Sequence, residues 1–195
     1  MARQASTSST QRELFAAAPP GLEFREDFVN DREEAALLSA AESLPFKPFE
    51  FHGWTGNRQT VSFGWRYDFN QSRVEAAEPI PGFLLPLRER AAALAGIDPG
   101  AFEQALVIRY DVGAGIGWHR DRPVFEKVFG LSLLSPCVLR FRRRHARGFE
   151  RFSLDAAPRS AYLLTGEIRH DWEHSIAPME MKRYSITFRS RRTTA

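Results

Sequence analysis

The chain has 195 residues, 43% of them hydrophobic, with 27 Lys and Arg against 24 Asp and Glu and a formal net charge of +3. That length suits one domain with its own core, and its apolar runs are broken by charge or proline well short of the roughly 20 residues that a membrane-spanning helix needs. The single cysteine, Cys137, excludes an intrachain disulfide and a cysteine-rich zinc site, and points to a reducing, cytoplasmic setting.

Residues 1–20 carry no apolar stretch of secretory length, so a flexible arm is expected there, followed by one domain over 21–195. Asn30 with Glu33 three residues later forms a capping-box pattern, and the apolar spacing behind it predicts a helix over 30–44. A second helix is predicted over 82–95, with Pro86 in its first turn and Gly96 stopping it. Elsewhere the period falls to two. Strands are predicted over 60–69, 104–111, 128–134, 137–143, 149–154, 160–165, 170–176 and 182–190. Eight short strands after a helical region suggest an α+β protein whose strands form a sandwich or barrel.

Arginines cluster at positions 140, 142, 143, 144, 147 and 151, and again at 183, 189, 191 and 192. A one-sided basic surface attracts phosphate backbones, so nucleic acid is the expected partner, and a monomer is expected.

The most informative local pattern is Trp118-His119-Arg120-Asp121, behind the glycine-rich turn 113–117. On an extended chain, His119 and Asp121 point to one side and can reach one ion. A third ligand must come from far along the chain. His174 is the best placed, with His170 competing from the same face of the predicted 170–176 strand. Two imidazoles and a carboxylate leave three positions open on an octahedral ion, the ligand set of oxygen-activating iron(II) centres. His52 and His145 have no carboxylate at such spacing.

Near the C-terminus, alternation puts Arg183, Ser185, Thr187 and Arg189 on one strand face and Tyr184, Ile186 and Phe188 on the other. Two arginines and two hydroxyls on an inward face call for an anionic partner, which a dicarboxylate gripped by a planar guanidinium would supply.

Taken in order, His119-x-Asp121, Trp172-x-His174-x-Ile176 and Arg183-Tyr184-x-x-Thr187-Phe188-Arg189 resemble the AlkB family of 2-oxoglutarate-dependent dioxygenases over roughly residues 100–192. The resemblance implies a double-stranded β-helix, or jelly roll, with N-terminal helices and substrate-lid loops outside it. It implies iron(II) held by His119, Asp121 and His174, and 2-oxoglutarate bound by Arg183, with Arg189, Ser185 and Tyr110 in the same pocket. It further implies that dioxygen and 2-oxoglutarate give succinate and carbon dioxide while a nearby C–H bond is hydroxylated. On an N-methylated base in DNA or RNA, single-stranded or flipped, the hydroxymethyl product would collapse to formaldehyde.

Pro123 and Ile108 depart from the bacterial repair pattern, which has an acidic residue and an asparagine at these places. The stretches 62–69 and 119–125 look more like the branch with a transfer-RNA-modifying homologue. Period-two spacing would place Phe63, Trp65 and Tyr67 on one face as a stacking surface for a flipped base, with Trp54 and Arg122 as further substrate contacts. A hydroxylase or demethylase of protein side chains or small molecules is the competing reading, with a non-enzymatic binding module behind it.

Overall fold

The computed structural model describes residues 18–51, 54–68 and 73–192. In chain order its elements are β1 (Leu22–Arg25), α1 (Asp31–Glu42), β2 (Lys47–Phe51), β3 (Trp54–Phe63), β4 (Trp65–Asp68), β5 (Arg73–Ala76), α2 (Leu85–Ala95) and β6 (Phe102–Tyr110). There follow β7 (Ile116–His119), β8 (Phe125–Leu133), β9 (Cys137–His145), β10 (Gly148–Ala156), β11 (Ala161–Leu164), α3 (Gly166–His170), β12 (Glu173–Ile176) and β13 (Arg183–Arg191).

The first helix begins as its capping box requires: the Asn30 side chain accepts from the Glu33 amide, and the Glu33 carboxylate accepts from the Asn30 amide. The second carries Pro86 in its first turn and ends at Gly96 in the left-handed conformation. A 3-10 turn at Gly82–Leu84 occupies the start of the stretch expected to be helical. Leu37, Ala41, Leu84, Leu87, Ala91 and Ala92 from these elements pack on Ala105, Val107, Phe129, Leu131, Tyr184, Ile186 and Phe188. They form a core on the outer side of a seven-stranded antiparallel sheet ordered β1-β11-β8-β13-β6-β3-β2.

A four-stranded sheet ordered β10-β9-β12-β7 faces it, and β4 pairs with β5 in a separate hairpin. Between the two main sheets lies a second core, including Ile108, Tyr110, Val128, Leu139, Phe141, Trp172 and Ile176. Apart from the β9–β10 hairpin, which stays in the smaller sheet, strands β6 to β13 alternate between the sheets, which is the double-stranded β-helix expected from the sequence. No helix among the described residues is long and apolar enough to cross a membrane.

Three expectations are corrected. Residues 18–20, assigned to the flexible arm, are docked: Pro19 is buried, and the Pro20 carbonyl accepts from Ile168. The stretch 60–69 is not one strand, because Gly64 turns at φ 76 and the chain leaves β3 for the separate β4–β5 hairpin. The stretch 170–176 is not one strand either, since His170 closes α3 and β12 starts only at Glu173.

Candidate active site

Strand β13 occupies the middle of the larger sheet, between β8 and β6, and its two faces do different things. Tyr184, Ile186 and Phe188 enter the helix-covered core. Arg183, Ser185 and Thr187 are buried on the opposite side, toward the interior of the jelly roll, and Arg189 is nearly so. Register puts Arg183 beside Tyr110, Ser185 between Ile108 and Ser132, and Arg189 between Gln104 and Val128.

Arg183 is only 1% exposed. Its Nε donates to the Ser132 hydroxyl at 3.1 Å, and its guanidinium carbon sits 5.0 Å from the centre of the Tyr110 ring. Its Nη1 is buried with no hydrogen-bond partner among the described residues. A guanidinium held this way has a donor aimed at something the protein does not supply. Tyr162 lines the same space from β11, and burial raises its pKa against the opposing charge of Arg183. Its ring lies over Gly130, where any Cβ would collide with it.

Across the interior, β7 and β12 pair so that His119 stands opposite His174, with ring centroids 4.3 Å apart. The strands are aligned by the Gly113 amide bonding the Met179 carbonyl and the Met179 amide bonding the Ala114 carbonyl. The Nδ1 of His119 lies 3.0 Å from the Gly117 carbonyl, which can only accept, so Nδ1 is the donor of that bond. Burial, then the nearby His119, Arg189 and Arg169, lower the His174 pKa to about 3 despite Asp121, so its imidazole is neutral.

Asp121 follows β7, with its side chain 8% exposed and its Oδ1 accepting from Arg189 Nη2 at 3.0 Å. Burial works against its charge, but Arg189, the two imidazoles and Arg169 outweigh it and hold the carboxyl well below the usual carboxylate range. Arg189 also donates to Gln104 at 3.2 Å. Among the described residues no three His, Cys, Asp or Glu side chains form a ready-made metal cluster. The donor set nevertheless fits a divalent ion: the neutral imidazole of His174, the imidazole of His119 with its Nδ1 turned to a carbonyl, and an ionised carboxylate whose Oδ2 has no hydrogen bond among the described residues.

His170 does not share this space. Its Nε2 meets Glu126 at 3.2 Å, and its place at the end of α3 separates it from the β12 face that carries His174. Trp65 is corrected as well. It is buried, stacked on Phe125 at 5.3 Å and 16°, with Arg191 over its ring, so it packs against the jelly roll and offers no face to a base. Phe63 enters the helix-covered core. Tyr67 lies on β4 opposite Val74, Trp54 opens β3, and His52 falls outside the described residues.

Two arginines of the site had no sequence signal. Arg169, 3% exposed on α3, donates through Nη2 to the carbonyls of Arg122 and Phe125 at 2.6 Å each, which pins the loop carrying Asp121. Arg58 on β3 stands opposite Tyr110 with its guanidinium 3.7 Å over the Phe49 ring; burial lowers its pKa, Tyr110 opposes and Arg189 adds to it. Arg169 is a lone arginine whose partners lie more than 40 residues away, and Arg58 meets Phe49 only through the pairing of β2 with β3, so no local pattern announces either.

The basic clusters also divide. Arg183 and Arg189 are interior, Arg191 pairs with Glu103, and Arg192 lies 3.7 Å from Glu126, so the second cluster is no continuous phosphate surface. Arg143 is bridged to Glu150 at 2.7 Å and to Glu167 at 2.6 Å.

A sequence model described as "2OG-Fe(II) oxygenase superfamily" matches residues 26–190, nearly all of the chain described above. The chain belongs to the 2OG-Fe(II) oxygenase superfamily. This oxygenase is similar to the Arabidopsis thaliana "Alkylated DNA repair protein ALKBH8 homolog", 30% identical over 80% of this chain and 51% of that protein. It is 28% identical to the Xenopus tropicalis "tRNA (carboxymethyluridine(34)-5-O)-methyltransferase alkbh8", over 85% of this chain and 26% of that protein. The chain thus spans about half of the first relative and a quarter of the second. Among solved structures it superposes on OsALKBH1 with a TM-score of 0.69 at 15% identity, covering 88% of this chain and 97% of that one, which supports the jelly roll. The resemblance to AlkB proteins read from the three motifs therefore holds for this oxygenase.

Proposed function

We propose that this oxygenase oxidatively demethylates an alkylated base in RNA or DNA, with iron(II) held by His119, Asp121 and His174. The observation that carries the reading is the placement of the buried, under-satisfied Arg183 on the sheet facing His119 and His174, with Arg189 of the same strand reaching Asp121 beside them. Bound iron(II) would supply the activation of dioxygen at the expense of 2-oxoglutarate, which leaves as succinate and carbon dioxide.

The chain's own residues bind and orient. Arg183 takes the distal carboxylate of 2-oxoglutarate through its orphan Nη1, with Tyr110 beneath it and Ser132 fixing its Nε. Ser185 lines the same face. Arg189 keeps Asp121 ionised and aimed, and Arg169 holds the loop that carries it. Hydroxylation of an N-methyl group leaves a hydroxymethyl that breaks its C–N bond, returning the proton to nitrogen and releasing formaldehyde.

Relatives whose names refer to DNA repair and to transfer RNA support a nucleic-acid substrate. The test is a panel of methylated single-stranded RNA and DNA oligonucleotides assayed for succinate, formaldehyde and product mass. Formaldehyde equal to succinate is expected on at least one. A product one oxygen heavier without formaldehyde would make the enzyme a hydroxylase of the base. Succinate formation that no oligonucleotide stimulates would favour a protein or small-molecule substrate.

A further inference from the structure

The four-stranded sheet has an outer side as well as the inner side that carries His119, His174 and Phe141. Alternation puts their neighbours Trp118, Glu173, Arg140, Arg142 and Arg144 outside, and the β9–β10 register adds Phe149 beside Arg144 and Arg151 beside Arg142. The Arg142 guanidinium lies between Trp118, at 4.4 Å, and Phe149, at 4.5 Å, while its Nε meets Glu173 at 2.6 Å. Arg140 is 5.4 Å from Trp118 and bonds Ser175. Arg144 and Arg151 flank Phe149 at 5.4 and 5.6 Å, are exposed, and have no carboxylate partner among the described residues. A cavity of about 300 Å³ opens here between Arg120, Arg142, Arg144, Phe149, Asp171 and Glu173.

We propose that this outer face is a track for the single-stranded nucleic acid flanking the reacting base, an inference that rests on the nucleic-acid reading above. Arg144 and Arg151 take phosphates, and the cavity takes one unreacted nucleotide, its base against Phe149 with amino groups donating to Asp171 or Glu173. Arginines outnumber carboxylates around the cavity and Phe149, which suits a polyanion. The interleaved rings and carboxylates suit bases rather than a bare acidic surface. The track is also next to the chemistry. Trp118 and Glu173 are the chain neighbours of His119 and His174, and β7 is the sheet's edge, around which a strand lying outside reaches the interior.

The experiment uses the full chain and a short, fluorescently labelled, unmodified single-stranded RNA, with affinity measured against salt. The R144Q/R151Q variant, whose substitutions are both exposed, should melt as wild type does. It should bind more weakly and lower the slope of log affinity on log salt by about 1.4, two phosphates at about 0.7 each on a single strand. F149A should weaken binding by about 5-fold or more with the slope unchanged, since stacking releases no counterion. R143Q, at a side chain bridged to Glu150 and Glu167, should leave the slope alone. The KM for 2-oxoglutarate should be the same in all three. If wild type binds with a steep slope and R144Q/R151Q matches it, the track is wrong while the nucleic-acid reading stands. If wild type binds neither this RNA nor the equivalent DNA while turning over 2-oxoglutarate, both fall.

Discussion

Replacing Arg183 by methionine separates a structural arginine from one that waits for a carboxylate. The side chain is 1% exposed, keeps one hydrogen bond to Ser132 and has a buried Nη1 with none. A buried charge so lightly compensated contributes little to stability, and an apolar side chain of similar length is often neutral or stabilising in its place. Without ligand, Arg183→Met should therefore melt at or above the wild-type temperature. With anaerobic iron(II) and 2-oxoglutarate at 100 times the wild-type Kd, the wild type should gain about 2.7 kcal/mol. For a domain of this size that is a rise of about 5–11 °C. Losing the buried charge-assisted pair costs about 3 kcal/mol, or about 100-fold in affinity. The same ligand concentration then sits near the variant's Kd, giving about 0.4 kcal/mol and a rise of only about 1–2 °C. Differential scanning calorimetry measures both numbers. A variant that melts several degrees lower without ligand yet keeps the full ligand-induced rise would show that Arg183 is a packing residue, and the dicarboxylate assignment would fail.

His119→Ala, Asp121→Ala and His174→Ala should each abolish iron-dependent succinate formation, whereas His170→Ala should retain it because that imidazole is engaged by Glu126; the opposite pattern for His170 and His174 would exchange their roles. Gly130→Ala puts a Cβ into the Tyr162 ring and should lower stability by about 1–3 kcal/mol, with Tyr162→Ala in the same chain recovering part of the loss; a single variant as stable as wild type would contradict that contact. Burial raises the Cys137 thiol pKa above its ordinary value near 9.0, so the folded protein keeps a proton that the unfolded chain gives up. The stability this supports is fully present below about pH 9 and is lost as pH climbs toward the raised value, and Cys137→Ala should flatten that decline in melting temperature.

Legibility in the sequence followed the range of the interactions. The Asn30–Glu33 box and the alternation of 183–189 are local patterns, and the structure realises them as a capped helix and a two-faced strand. The His119-x-Asp121 spacing was readable because neighbours in an extended chain share a face, but the Asp121–Arg189 pair joins residues 68 apart and has no local trace. Period-two reasoning failed at Trp65 because it assumes an unbroken strand, and Gly64 at φ 76 redirects the chain between Phe63 and Trp65. It failed at His170 for the same reason: the helix of residues 166–170 intervenes. Basic clustering in the sequence overstated the surface, because alternate residues of β9 go to different faces and Arg143 is spent on Glu150 and Glu167.

The register of β13 ties folding to the site. Tyr184, Ile186 and Phe188 must face the helices to complete that core, and a slip of one residue would bury four polar side chains there instead. The hydrophobic demand on one face therefore fixes Arg183, Ser185, Thr187 and Arg189 on the other, whatever they cost there. The Arg189 charge is compensated by Asp121, and its Nη atoms bond Asp121 and Gln104, though its buried Nε has no partner among the described residues. Among the described residues Arg183 has the Ser132 hydroxyl and the Tyr110 ring, and its Nη1 has no partner. Because β13 is hydrogen-bonded on both sides, by β6 and β8, the strand cannot yield to relieve that donor. On the proposed reading, the binding free energy of a carboxylate would go to Arg183 and not to rearranging the sheet, which is the condition for a pocket formed before its ligand enters.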